Sequence, residues 1–238
     1  MHLDKQSDIF YKKISKKNFI PTKICEIGVY KPETSKVLLF IYEKIDTTLV
    51  EADKEIVKIL NKTFENYPNV KIINSAIYDR RGKVELYKAS ASTFISELPS
   101  SPAIINDDFY GNSGQKFVVD SVLFSDIDDG DYDLISIDIE GADWFVLKYM
   151  KSQPKIISIE THGKYYKNPY IVPILEWMKQ NNYITWIIDN SDTVFVKKGE
   201  IKVTLIEKII LQVKKIKNLL KSKKRYLKIF LLKNNRIN

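Results

Sequence analysis

Four carboxylates stand at the ends of short apolar runs. Glu26 closes Ile24-Cys25-Glu26-Ile27, Glu51 follows Thr48-Leu49-Val50, Asp138 follows Leu134-Ile135-Ser136-Ile137, and Glu160 follows Ile156-Ile157-Ser158-Ile159. Runs of this kind read as strands covered on both faces, and in an open α/β sheet ligands bind at the carboxyl edge of the strands. One acid there is ordinary loop chemistry, whereas four at equivalent edges predict a polar cleft. Glu51 ends the second strand of a βαβ unit, where a carboxylate can accept hydrogen bonds from vicinal ribose hydroxyls. The competing reading is an acid that favours the dipole of the following helix. The turn Glu26-Ile27-Gly28-Val29-Tyr30-Lys31-Pro32 holds a single glycine. The several glycines that let a backbone approach a pyrophosphate are missing, which disfavours NAD or FAD. One glycine suffices for a ligand without phosphate.

His162, two residues past Glu160, is the only histidine inside the predicted domain. An imidazole titrates near neutral pH, so His162 is a candidate general base, against the reading of a capped or surface loop residue. Asp138 and Glu140 are alternative bases, or groups that orient an acceptor. No metal is expected, because two carboxylates without further ligands are a thin coordination set. Cys25 is the one cysteine, beside two histidines, which excludes an internal disulfide and a Cys- or His-built metal centre and fits a reducing cytosol.

These groups need a scaffold, and residues 20–198 supply alternating strand and helix patterns. Pro32 is placed to open a helix carrying Val37, Leu38, Ile41 and Ile45. Residues 54–66 and 170–181 read as further helices, and Trp144 begins a short one. Val70–Ile73, Val84–Tyr87 and Phe117–Val119 read as strands, and Tyr183–Ile188 and Thr193–Val196 as a closing pair. Residues 89–115, rich in Ser, Pro, Asn and Gly, read as a long loop or lid in which Ser92, Thr93, Tyr110 and Asn112 suit carbohydrate. The expected fold class is α/β, with a largely parallel sheet.

The chain has 238 residues, 44% hydrophobic and 29% charged, which suits one domain with an appendage. The expected division is an N-terminal helical segment (1–20), a main domain (21–200) and a basic tail (201–238). The formal charge of +8 is uneven: residues 201–238 hold twelve Lys or Arg and one acid, Glu207, so the remainder is net acidic. From Val203 onward, apolar residues recur at helical spacing among lysines. This reads as one basic amphipathic helix or two, which can lie on an anionic membrane surface, dock on the body, dimerise, bind nucleic acid or present a solvated face on a packed helix. Nothing in the N-terminal residues resembles a secretory leader, and no stretch is apolar enough for a span. The cytoplasm is the expected location, with the tail peripheral on the inner face of the membrane.

Glu26-x-Gly28, Glu51-Ala52, Asn74-Ser75-Ala76-Ile77 with Gly82, and above all Asp133-Leu134-Ile135-Ser136-Ile137-Asp138-Ile139-Glu140-Gly141-Ala142 resemble the FkbM-type S-adenosylmethionine-dependent methyltransferases. The resemblance covers about residues 22–162. It departs from the family pattern at Glu26, usually Asp, at Tyr30, usually Asn, and at Pro32, usually Gly. It implies a Rossmann-like class I methyltransferase with a seven-stranded, mostly parallel sheet and helices on both faces. It also implies S-adenosyl-L-methionine as cofactor and methyl transfer to a hydroxyl of a sugar or glycan. Carried over by position, Glu26, Gly28 and the adjoining Tyr30 border the methionine part. Glu51 and Ala52 lie at the ribose, Ser75 and Ala76 near the adenine, and Asp138 and Glu140 face the transferable methyl. The rivals are a scaffold with a vestigial site and an RNA methyltransferase gripping through its tail. The acidic body makes nucleic acid the weaker partner. The sequence does not give an oligomeric state.

Overall fold

The computed structural model describes residues 5–89, 92–106, 115–163 and 165–234. Its strands are β1 (Lys23–Ile27), β2 (Asp46–Glu51), β3 (Val70–Asn74), β4 (Ala76–Ile77), β5 (Gly82–Ala89), β6 (Ser92–Ile95), β7 (Gln115–Val122), β8 (Leu134–Ile137), β9 (Ile156–Glu160), β10 (Tyr183–Ile188) and β11 (Asp192–Lys197). Its helices are α1 (Lys5–Ser15), α2 (Leu38–Tyr42), α3 (Lys54–Thr63), α4 (Pro102–Asn106), α5 (Trp144–Lys148), α6 (Ile171–Gln180) and α7 (Leu205–Asn234).

Seven strands form the main sheet in the order β10-β11-β9-β8-β1-β2-β3. The pairs β1–β2, β2–β3, β1–β8 and β8–β9 are parallel, while β11 runs antiparallel to both its neighbours. Six of the seven strands therefore run the same way, as expected, and β11 alone is reversed, which makes the sheet mixed. The chain winds from β1 to β3, then crosses back to β8 on the other side of β1. This leaves a switch point between the carboxyl ends of β1 and β8, where ligands of open α/β sheets bind.

Every residue of β8 and β9 is buried, as continuous apolar runs require when helices cover both faces. Alternate side chains divide between two cores. Ile24, Leu134, Ile156 and Val194 pack with α1, α2 and α3 through Phe10, Ile14, Phe40 and Leu60. Cys25, Ile27, Ile135, Ile137, Ile157 and Phe195 pack with α5 and α6 through Val146, Leu147, Ile174 and Met178. A second sheet, β4-β7-β5-β6, stands beside the first around Val84, Leu86, Ile95 and Val119.

Two local expectations are corrected. Residues 89–115 are not a plain loop, because β6 pairs antiparallel with β5 and α4 follows. Tyr110 and Asn112 lie outside the described residues. The helix expected from Pro32 is broken into a short 3-10 turn, Pro32–Thr34, and α2. The break has a cause: the Ser35 hydroxyl and the Lys36 backbone N–H both turn to the Glu26 carboxylate, at 2.5 and 2.8 Å. Among the described residues no helix is long and apolar enough to cross a membrane.

Candidate active site

The carboxyl ends of β1, β2 and β8 open into a cavity of about 230 Å³. Glu26 and Gly28 come from the end of β1 and Tyr30 from the turn after it. Glu51 and Ala52 end β2, Ser75 and Ala76 follow β3, and Asp138 and Glu140 follow β8. All nine line this one cavity. Leu86 of β5 and Thr93, Phe94 and Ile95 of β6 close another side, so the second sheet forms a wall. Thr93 thus faces the cavity from the segment expected to be a lid.

The backbone is drawn tight at the switch point. Gly28 has φ +84°, and a Cβ there would stand 1.9 Å from the Asp138 carbonyl oxygen. Only glycine tolerates both conditions. The Asp138 N–H donates to the Ile27 carbonyl at 2.9 Å, locking the two strand ends together. Beyond β8, Glu140 (φ +55°) and Gly141 (φ +105°) are both left-handed. A Cβ on Gly141 would lie 2.8 Å from the Ser100 carbonyl oxygen. The buried Asp143 carboxylate fastens this turn by accepting from the N–H groups of Ile139 and Gly141, each at 3.2 Å, and from the Asn168 amide at 2.7 Å. A non-glycine residue held left-handed costs of order 1–3 kcal/mol and gathers at functional sites, and Glu140 is such a residue on a cavity wall.

Glu51 is fixed at both oxygens. Oε2 accepts from the Val29 N–H at 2.9 Å and Oε1 from the Asp53 N–H at 2.7 Å. Asn74 holds the loop behind it by donating to the Glu51 and Ala52 carbonyls. Lone pairs of an oriented carboxylate remain for a diol. Burial pushes the Glu51 and Glu26 carboxyls up to about 7 despite these bonds. Burial, then the field of Asp138, pushes Asp143 up to about 7. Glu160, at the end of β9, is outside the cavity lining. Burial and the fields of Asp138, Glu140, Asp143 and Asp192 push its carboxyl well up, and its Oε2 has no hydrogen-bond partner among the described residues. Ser75 spends its hydroxyl on the Asp120 carbonyl, at 3.0 Å. Tyr30 is partly exposed, with the Lys31 ammonium 4.9 Å over its ring.

Lys36 is the residue that the sequence did not single out. Its side chain is buried at the cavity, with Nζ 2.6 Å from Asp192 Oδ2 and 3.4 Å from Asp138 Oδ2. It is the lysine among the lining residues, set against Glu26, Glu51, Asp138 and Glu140. Asp143, Asn168 and Asp192 were likewise not foreseen. The D-x-E-G-A-D run contains Asp143, but nothing in the spacing of the others marks them.

The structure does not bring His162 to the cavity. It follows β9 and forms a bridge with Lys167, and it is absent from the lining. The Thr161 hydroxyl lies 2.9 Å from Nδ1, and Nε2 lies 3.3 Å from the Asp189 carbonyl. A carbonyl only accepts, so Nε2 carries the proton and Nδ1 accepts from Thr161. Burial lowers its pKa, which keeps the ring neutral. The expected base is thus turned toward the β10–β11 turn by strand-end geometry.

The arrangement suits a cationic ligand with a diol and a flat apolar part. Its lining combines the acids Glu26, Glu51, Asp138 and Glu140 with apolar side chains such as Ile56, Ile77 and Leu86. Among the described residues, no three acids, histidines or cysteines are placed to hold a metal ion. Comparison with solved structures finds distant shapes of the same kind. A candidate caffeoyl-CoA O-methyltransferase from Staphylococcus aureus is 16% identical, covers 83% of this chain and 85% of its own, and superposes with a TM-score of 0.49. A candidate S-adenosyl-L-methionine-dependent methyltransferase from Methanococcus maripaludis is 10% identical over 84% and 87%, at 0.44. A ribosomal protein L11 methylase from Lactobacillus delbrueckii subsp. bulgaricus is 9% identical over 83% and 81%, also at 0.44. No curated protein matches the chain. The model of the methyltransferase FkbM domain matches residues 26–185, well over half of the chain, so the chain belongs to the FkbM methyltransferase family, with S-adenosylmethionine as its methyl donor.

Proposed function

We propose that this methyltransferase acts on oxygen, methylating a hydroxyl of a sugar or glycan. The residues present fit the cofactor. S-adenosylmethionine, when bound, supplies an electrophilic methyl on a cationic sulfonium, and the acidic cavity complements that charge. Glu51, with both oxygens already oriented by backbone N–H groups, accepts from the ribose hydroxyls. Glu26, fixed by Ser35 and Lys36, faces the methionine ammonium. Ala52, Ser75 and Ala76 border the adenine side with Ile77 and Leu86. Gly28 lets the chain pass without a side chain, and Tyr30 flanks the mouth.

The observation that carries the oxygen assignment is the pairing of Asp138 and Glu140 on one wall of the cavity, with Lys36 holding Asp138 Oδ2. A sugar hydroxyl is a weak nucleophile whose proton must leave at or near transfer. Carboxylate oxygens on this wall orient such a hydroxyl by accepting from it, and Asp138 takes the proton as the oxygen gains the methyl. His162, away from the cavity, has no part. Acids on the cavity wall oppose a phosphate backbone, which favours a glycan over a nucleic acid.

The test is to incubate the full chain with methyl-labelled S-adenosylmethionine and a panel of sugar nucleotides, oligosaccharides and RNA. Label in an alkali-stable ether on a sugar is the expected result. Label found only in base-labile esters, in nucleic acid or nowhere would overturn the assignment. Asp138→Asn is expected to lower turnover while leaving the affinity for S-adenosylhomocysteine nearly unchanged.

A further inference from the structure

α7 is turned the unusual way round. Its first turn is fastened to the body: Thr204 and Glu207 form a capping box, with the Thr204 N–H donating to Glu207 Oε2 at 2.8 Å and the Glu207 N–H to Thr204 Oγ1 at 3.3 Å. Lys17 Nζ lies 2.6 Å from Glu207 Oε2, and the Trp186 indole N–H donates to Oε1 at 2.9 Å. These bonds hold the Glu207 carboxyl down at about 2, against the effect of its burial. Along the next three turns, Glu207, Leu211, Lys214 and Asn218 are the shielded positions. Their spacing of four, three and four residues is one helical stripe. A helix that faces a body normally turns its apolar stripe inward. Here the inward stripe holds one apolar residue, Leu211.

The apolar stripe faces away. Ile206, Ile209, Val213, Ile216, Leu219 and Leu220 are 45–70% exposed, and no described residue covers them. Lysines border this arc on both sides, Lys208 and Lys215 on one edge and Lys217 on the other, all exposed. An apolar arc flanked by lysines whose stems reach sideways is the pattern of a helix lying in the plane of a lipid headgroup layer.

We infer that α7 binds the surface of an anionic lipid bilayer through this outward stripe. Charge decides among the occupants. Residues 201–238 hold twelve Lys or Arg against one acid, and that acid is spent on Lys17 and Trp186. A second copy of α7 would bring lysine edge to lysine edge with no acid to pair. A nucleic acid would answer the lysines and leave the isoleucines wet. Anionic headgroups over acyl chains answer both, each Lys or Arg adding ~1 kcal/mol near the surface. The helix packs against β10, the edge strand of the main sheet, so docking by α7 leaves the cavity between β1, β2 and β8 uncovered. This inference stands apart from the methyl-transfer reading, and either can fail without the other.

The test is flotation of the full chain with vesicles of phosphatidylcholine alone and with vesicles containing phosphatidylglycerol. Binding to the anionic vesicles is expected to be roughly tenfold stronger or more, and to weaken as salt is raised. The triple variant Ile209→Asp, Val213→Asp, Ile216→Asp changes only exposed positions and is expected to stay at the bottom of the gradient with an unchanged melting temperature. Lys215→Glu with Lys217→Glu is expected to weaken the anionic preference about tenfold or more while keeping the apolar arc, and it decides the matter should the triple variant misfold. Equal binding to both vesicles, no flotation, or wild-type flotation by the variants overturns the inference. So does sedimentation equilibrium showing a dimer that the triple variant converts to monomer, or a salt-sensitive complex with RNA in place of vesicles.

Discussion

Replacing Lys36 with methionine keeps most of its length and removes its charge. The ammonium stands 2.6 Å from Asp192 Oδ2 and 3.4 Å from Asp138 Oδ2, and the Lys36 side chain is only 13% exposed. Burial alone would push its pKa down, but the fields of Asp138, Asp192 and Glu26 together push it further up. Asp192 is 3% exposed, so losing Lys36 leaves it as a buried acid without its cation. Removing one member of such a pair costs ~3–5 kcal/mol. At about 2–4 °C per kcal/mol for a chain of this size, the melting temperature is expected to fall by roughly 6–20 °C. Burial already pushes the Asp192 carboxyl up, so it takes a proton in the variant and the lower half of that range applies. Adding Asp192→Asn removes the stranded acid. The double variant is therefore expected to be more stable than Lys36→Met alone by at least ~1 kcal/mol, a coupling well above the additivity error. Urea unfolding of the four proteins of the cycle measures this. In the two variants without Lys36, turnover is expected to fall more than S-adenosylhomocysteine affinity, because Asp138 loses the group that holds its Oδ2. If Lys36→Met costs under ~1 kcal/mol, or if the two substitutions simply add, the buried ion pair does not hold the site together.

Glu51→Ala removes charged acceptors worth ~1.5–3 kcal/mol per hydrogen bond, so calorimetry is expected to show S-adenosylhomocysteine binding weakened about 100-fold or more; unchanged affinity in a folded variant would dismiss the ribose role. Gly28→Ala is expected to abolish folding or cofactor binding, since its Cβ meets the Asp138 carbonyl oxygen at 1.9 Å, and a soluble variant with normal affinity would refute the close approach. His162→Ala is expected to leave kcat within about twofold, because the ring lies outside the cavity; a loss of ten times or more would return it to the chemistry. Glu26, Glu51 and Asp143 have carboxyls raised by burial to about 7, so the stability they confer is full below pH 4 and is lost as the pH rises through about 7. The unliganded protein is thus expected to melt higher at pH 6 than at pH 8, while S-adenosylmethionine binds more tightly at pH 8, and a flat profile for both would count against these assignments.

The strands that carry the site were legible because their apolar runs are continuous. Leu134–Ile137 and Ile156–Ile159 are buried on both faces, and such burial leaves no polar position to blur the pattern. The same rule fails for the second sheet. β5 and β7 each read as strands, yet their partnership, Gly82 with Ser121 through Lys88 with Gln115, joins segments some thirty residues apart, and alternation does not record a distant partner. β6 was hidden in a polar stretch because only Phe94 and Ile95 of its four residues are buried. The helix after Pro32 was overcalled for a local reason: Ser35 and Lys36 give up helical geometry to bond Glu26. His162 was placed correctly at a strand end, but which way its ring turns is decided by Thr161 and by the Asp189 carbonyl.

Lys36 was illegible for a deeper reason. One lysine among thirty-eight basic residues acquires meaning only when folding sets it among acids contributed by four separate strand ends. Glu26, Asp138, Asp192 and the raised Glu160 come from β1, the ends of β8 and β11, and β9. Gathering that many carboxyls at one edge costs folding energy unless protons or cations neutralise them. Lys36 neutralises part, and burial, which raises the Glu26, Glu51, Asp143 and Glu160 carboxyls, favours protons on the rest. A bound cation would take over that duty and release protons, so cofactor binding, cavity ionisation and stability are one coupled equilibrium in this chain. On the proposed placement of S-adenosylmethionine in this cavity, the excess of acid over base around it, more than any single contact, would select a sulfonium.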